Sequence, residues 1–136
     1  MEILVIDDEV MIEKIITAFL ERYAKENHLS VNTHCISDPV EALYELTTHG
    51  ERFDLVTLDV RMPKLVGDLI FETLMDAYPQ LLDKILFVTG HRDDLQWRFP
   101  DLDLNVLVKP FNYAQFRKAI DSMMGNHITQ DGKQEV

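Results

Sequence analysis

Four stretches of this 136-residue chain carry side chains that could act on one ligand: Asp7-Asp8-Glu9, Asp59, Thr89-Gly90 and Lys109-Pro110. Each closes an apolar run, so each is expected at the end of a strand. Gathered along one edge of a sheet, they bring together three aspartates, a hydroxyl and an ammonium. Carboxylates that close repel one another and raise each other's pKa. A bound divalent cation removes the conflict, and oxygen-only donors at a partly hydrated site favour Mg²⁺ or Mn²⁺ over zinc. No His/Cys cluster with zinc spacing occurs in the sequence. A carboxylate beside such a cation can attack phosphorus and form an acyl phosphate. The protein's part is then alignment and charge neutralisation, with Lys109 and the cation on the phosphoryl oxygens and Thr89 donating a hydrogen bond.

The elements that must position these groups are legible as alternating patterns. Ile3-Leu4-Val5-Ile6 is an unbroken apolar run, as for a strand covered on both faces. Met11, Ile12, Ile15, Ile16, Phe19, Leu20 and Tyr23 then repeat at helical spacing to about residue 26. A weaker strand spans Val31 to Ile36. Asp38 as cap and Pro39 in the first turn open a helix with Ala42, Leu43 and Leu46 inward and Gly50 past its end. Strands follow from Phe53 to Leu58, Ile85 to Val88 and Val106 to Val108. A helix carrying Leu69, Ile70, Leu74 and Tyr78 stands between the first two of these. Asn112, with Gln115 three residues on, caps a last helix that should bury Phe116, Ala119, Ile120 and Met123 and end at Gly125. The stretch from His91 to Asn105 is the least regular, and Pro100 interrupts it. This alternation predicts an α/β fold: a doubly wound, five-stranded parallel sheet with helices on both faces. Ligands of such sheets bind outside the carboxyl ends of the strands.

Composition narrows the function. Twenty-four acidic against 13 basic residues give a net charge of −11, which argues against non-specific nucleic-acid binding and against docking on anionic membranes. Cys35 is the single cysteine, so no intrachain disulfide forms, and its simplest role is a small core residue. The N-terminus lacks the pattern of a secretory signal, and no apolar run approaches a membrane span. A cytoplasmic protein is expected.

The ordered set Asp7-Asp8, Asp59 followed by Met62-Pro63, Thr89-Gly90 and Lys109-Pro110-Phe111 resembles the receiver domain of two-component response regulators over about residues 2 to 124. The resemblance implies the flavodoxin-like strand order 2-1-3-4-5. It implies that Asp59 accepts a phosphoryl group from a sensor histidine kinase or a phosphotransfer protein. By the same resemblance Asp8 ligates Mg²⁺ directly, Asp7 does so mainly through water, and Asp59 and the backbone carbonyl of Arg61 complete the set. Thr89 is the switch hydroxyl, Lys109 the family's lysine, and the Lys109–Pro110 bond is cis. Residues 1–125 would form the receiver and residues 126–136 a polar, disordered tail with no output domain, so either the signal would pass to a separate, unknown output protein or the chain would be a fragment of a longer regulator. Such a chain is not an enzyme with a substrate of its own.

The sequence departs from the family where Val106 replaces the aromatic usual three residues before the lysine, and where residues 89–109 form a short segment holding Pro100. These departures fit an alternative reading, a degenerate receiver acting as a phosphorylation-independent protein-binding module; Asp8, Asp59 and Lys109 oppose it. A haloacid-dehalogenase-type hydrolase needs a nucleophile two residues before a second aspartate, and Asp7-Asp8-Glu9 lacks that spacing. Asp7-Asp8 as a helix-capping cluster, His91 as an exposed loop histidine, and Trp97 and Phe99 packed under an irregular helix are the plainer readings of those residues.

Overall fold

Five strands form one parallel sheet in the order β2-β1-β3-β4-β5: β1 (Glu2–Ile6), β2 (Asn32–Ile36), β3 (Leu55–Asp59), β4 (Ile85–Thr89) and β5 (Asn105–Val108). The structure, a computed structural model, describes residues 1–60, 72–90 and 103–132, with side chains as far as 124. The expected order 2-1-3-4-5 is therefore the observed one.

The sheet is two-sided because its strands alternate. On β1, Leu4 and Ile6 point to one face, and Ile3 and Val5 to the other. The first face packs against Ala42 and Leu46 of α2 (Pro39–His49), Leu74 of the helix over residues 72–77, Phe53, and Leu81. The second packs against Ile16, Leu20 and Tyr23 of α1 (Val10–Glu26), and against Tyr113, Phe116 and Ile120 of the C-terminal helix (Tyr113–Gly132). Each large side chain fully buried in this way contributes about 1.5–3 kcal/mol of transfer free energy. Phe19 joins the second layer to the C-terminal helix, with edge contacts to the rings of Phe111 and Tyr113. Hydrogen bonds from Tyr23 to Asp121 and from Tyr113 to Glu26 clamp the same two helices together.

Local chemistry sets the ends. Asp38 accepts from Val40 N–H at 3.1 Å with Pro39 at the first position of α2, as the sequence predicts. Asn112 and Gln115 form a reciprocal capping box, Gln115 N–H to Asn112 Oδ1 at 2.8 Å and Asn112 N–H to Gln115 Oε1 at 2.9 Å. At the end of α1, Leu29 N–H reaches back to Ala24 O at 2.8 Å while His28 turns through a left-handed φ of 55°. A side chain in that region is strained, so His28→Gly should stabilise the protein by about 0.5–1 kcal/mol, measured by urea unfolding.

Several expectations need correction. Met11 and Ile15 of α1 are 68% and 36% exposed, because helix geometry turns them away from the face shared by Ile16 and Leu20. Cys35 is exposed rather than in the core, since it lies on the edge strand β2. Pro79 ends the helix over 72–77 before Tyr78 and starts an unforeseen 3₁₀ helix, Pro79–Lys84, anchored by buried Leu81. The last helix runs through Gly125 to Gly132, where a helix end and a disordered tail were expected. A glycine within a helix costs only about 1 kcal/mol relative to alanine, and no proline follows it to stop the helix. Arg61, Met62-Pro63, Leu69, Ile70, His91, Trp97, Phe99 and Pro100 lie outside the described residues. Among the described residues no helix is long and apolar enough to cross a membrane.

Candidate functional site

The register of the central strands brings the four chemical stretches to one edge. Asp59 ends β3 opposite Val88 of β4, and Val60 N–H bonds to Val88 O at 3.0 Å. Thr89 ends β4 opposite Val108, and Lys109 N–H bonds to Thr89 O at 2.7 Å. Asp7 follows β1, with its N–H on Ile36 O at 3.2 Å. Chain segments a hundred residues apart thus meet because parallel strands all point the same way. The Lys109–Pro110 peptide is cis, as the resemblance implies.

Lys109 sits at the centre. Its Nζ lies 3.4 Å from Asp59 Oδ1, 3.4 Å from Glu9 Oε1 and 3.9 Å from Asp7 Oδ2. Asp7, Thr89 and Asp59 are buried, Lys109 nearly so, and Asp8 and Glu9 are exposed. One oxygen from each of Asp7, Asp8, Glu9 and Asp59 falls within 4.8 Å of the others. A single ammonium therefore faces a cluster with several negative charges. The strain shows in the acidities. Burial pushes the Asp7 carboxyl up to about 7, against the Glu9 backbone N–H that donates to it at 2.8 Å, and the Asp59 charge adds to the rise. Asp8 is raised as well, first by partial desolvation and then by Asp59.

These donors fit a hard divalent cation. All are oxygens, and they already converge. Among the described residues no hydrogen-bond donor reaches buried Asp7 Oδ2. Such an oxygen is costly to bury unless something positive meets it.

Of the residues singled out in the sequence, Asp7, Asp8, Asp59 and Lys109 come together as expected, and Thr89 stands at the adjoining strand end. Arg61 lies outside the described residues. Two features differ. The acceptor reading needs Asp59 open to a donor, yet its side chain has no exposed surface. Three neighbours at the strand ends, Lys109, Asp7 and Asp8, crowd it. Glu9 had no assigned role, although its place two residues after Asp7 on the same turn was a signal; among the described residues it makes one of the two shortest contacts to the Lys109 ammonium. Val106 is half-buried and packs inward on the α2 side of the sheet.

Comparison with known proteins gives the same answer as the geometry. The chain is 31% identical over 93 residues to a sensor kinase, CckA, of Brucella abortus (strain 2308), an alignment covering 67% of this chain and 10% of that protein. It spans about half or less of the length of the curated relatives it matches. A response regulator receiver domain from Clostridium thermocellum superposes with a TM-score of 0.73 at 26% identity, covering 95% of this chain and 98% of that one. The receiver domain of a sensor histidine kinase from Pseudomonas aeruginosa PAO1, solved with a magnesium ion in its active site cleft, has the same fold: TM-score 0.71, 19% identity, 91% and 97% covered. The sequence profile of the response regulator receiver domain matches residues 3–121, and the chain belongs to that family of two-component signalling domains.

Proposed function

We propose that this chain is the Mg²⁺-dependent phosphoacceptor of a two-component phosphorelay, taking a phosphoryl group from a histidine kinase or phosphotransfer protein onto Asp59. The observation that carries the reading is Lys109 Nζ at 3.4 Å from Asp59 Oδ1, inside a convergent carboxylate cluster. An ammonium so placed holds the acceptor oxygen and, after transfer, the charge of the phosphoryl group. Asp59 attacks phosphorus, the bond from phosphorus to the donor breaks, and an acyl phosphate forms. Thr89, at the end of the neighbouring strand, donates its hydroxyl hydrogen bond to a phosphoryl oxygen. Asp7, Asp8 and Asp59 would hold Mg²⁺ or Mn²⁺, with the Arg61 carbonyl as the further ligand that the family resemblance names. The bound ion supplies neutralisation of the phosphoryl charge.

The sealed acceptor adds one requirement: a donor reaches Asp59 only after its neighbours rearrange. Phosphorylation then adds up to about two negative charges where Lys109 and Thr89 can answer them, which shifts a two-state equilibrium. Val106, small and packed inward, stands where the family's rotating aromatic would be, so the shift does not run through an aromatic at that position. The shift is read by an output partner; nucleic acid and membrane are not direct partners, and the chain acts in the cytoplasm without a turnover substrate of its own. Acetyl phosphate with Mg²⁺ should add the mass of one phosphoryl group, and peptide mapping should place it on Asp59. Without divalent cation the addition should stop. No adduct under saturating Mg²⁺ would leave a receiver that works only as a binding module.

A further inference from the structure

Resting on that reading, we propose that Glu9 is a positioning residue that shares Lys109 with Asp59 and, through its charge at the mouth of the site, disfavours small phosphodonors of high negative charge. The two carboxylates hold Lys109 Nζ at the same distance, 3.4 Å, from opposite sides of the burial gradient: the Glu9 side chain is 54% exposed, Lys109 14%, and Asp59 fully enclosed. Glu9 therefore stands between solvent and the buried pair. Its backbone is fixed there, because its N–H donates to Asp7 Oδ1 at 2.8 Å. Its side chain makes no capping bond to α1, so the helix start does not need it. Among the described residues, Lys109 is the one cation its carboxylate pairs with.

The consequence is electrostatic. Before transfer, the Glu9 carboxylate draws the ammonium outward, away from the acceptor. During transfer, it repels the incoming phosphoryl oxygens and competes with them for the N–H donors of Lys109. The repulsion of the donor grows with its charge, whereas the pull on Lys109 is the same for every donor; both shrink with salt. Acetyl phosphate and phosphoramidate separate these effects from simple access. With acetyl phosphate, Asp59 attacks phosphorus, the P–O bond to the acetyl oxygen breaks and acetate departs with the electron pair. With phosphoramidate the P–N bond breaks and ammonia departs from an already protonated nitrogen. The first donor carries two negative charges near neutral pH and the second a net charge of one.

The test is the rate of phosphorylation of the full chain by each donor at saturating Mg²⁺, for wild type, Glu9→Gln and Glu9→Asp, at low and high ionic strength. Glu9→Gln should raise the acetyl phosphate rate by about three- to tenfold at low salt and the phosphoramidate rate distinctly less. The change in donor ratio should fade as salt is added. Glu9→Asp keeps the charge and should keep a ratio near that of wild type. An unchanged ratio in Glu9→Gln overturns the proposal. So does a loss of both rates with a raised Mg²⁺ requirement, which would make Glu9 a cation ligand instead. Wild type inert to both donors would overturn the phosphoacceptor reading itself, a different result from an unchanged ratio on an active protein.

Discussion

Asp59→Asn should abolish phosphoryl incorporation, with the rate from acetyl phosphate falling by at least about a thousandfold, because on the proposed mechanism the amide cannot act as the nucleophile. Neither neighbouring aspartate can stand in. Asp7 is buried, and its carboxyl is pushed up to about 7, so near neutral pH a large share of it is protonated and cannot attack phosphorus. Asp8 is exposed and has no ion pair with Lys109, whose contacts go to Asp59, Glu9 and Asp7. The substitution keeps the size of the side chain, so the fold around β3 survives. It also removes one negative charge from a crowded, enclosed site. The variant should therefore unfold at a higher temperature than wild type in EDTA, although it has lost its reaction. Intact mass after acetyl phosphate treatment reads the first effect and a thermal melt the second. Label surviving on Asp59→Asn at the wild-type rate would move the acceptor to another residue.

Why these residues stood out in the sequence has a physical basis. Strands of a parallel sheet covered on both faces are near-continuous apolar runs, interrupted in β3 only by buried Thr57, so the first charged residue after each run marks its carboxyl end. Ile6 before Asp7, Leu58 before Asp59, and Val108 before Lys109 all carry that mark, and the order of the ends follows from the strand order. Contacts made between elements were hidden. Nothing in the sequence says that Glu9 reaches Lys109, one hundred residues away, or that Asp59 loses its solvent. The weak alternation of β2 reflects an edge strand, whose outward residues, Cys35 among them, face water. Phe53 reads as part of β3, yet it lies before the strand and fills the α2 layer, since a large apolar side chain is equally at home in a loop that is packed. The 3₁₀ helix at Pro79–Lys84 follows from one proline and one anchoring leucine, too short a pattern to show a period.

Asp7→Asn tests the same electrostatics through stability, and its sign changes with pH and metal. Burial holds the Asp7 carboxyl at about 7 in the folded protein, against the ordinary 3.8 of an aspartate. Between roughly pH 4 and 7 the folded state therefore binds a proton that the unfolded state has released. The stability this residue contributes is full below about pH 4 and is lost as pH rises through 7. In EDTA, wild type should be less stable at pH 8 than at pH 5.5 on this account. Asparagine keeps an Oδ1 to accept from Glu9 N–H, now at 2.8 Å, and cannot ionise. In EDTA at pH 8, Asp7→Asn should be more stable than wild type by about 1–3 kcal/mol, the scale of relieving a buried unmatched charge. At pH 5.5, where Asp7 is mostly protonated, the difference should shrink. Mg²⁺ should reverse the order at pH 8: at a hundred times its dissociation constant a ligand of the folded state contributes about 2.7 kcal/mol, available to wild type and largely lost without the carboxylate. Urea unfolding at both pH values, with EDTA and with Mg²⁺, measures all four terms. If the variant gained nothing at pH 8 in EDTA, the cluster would not be strained, and a cation would have little conflict to relieve there.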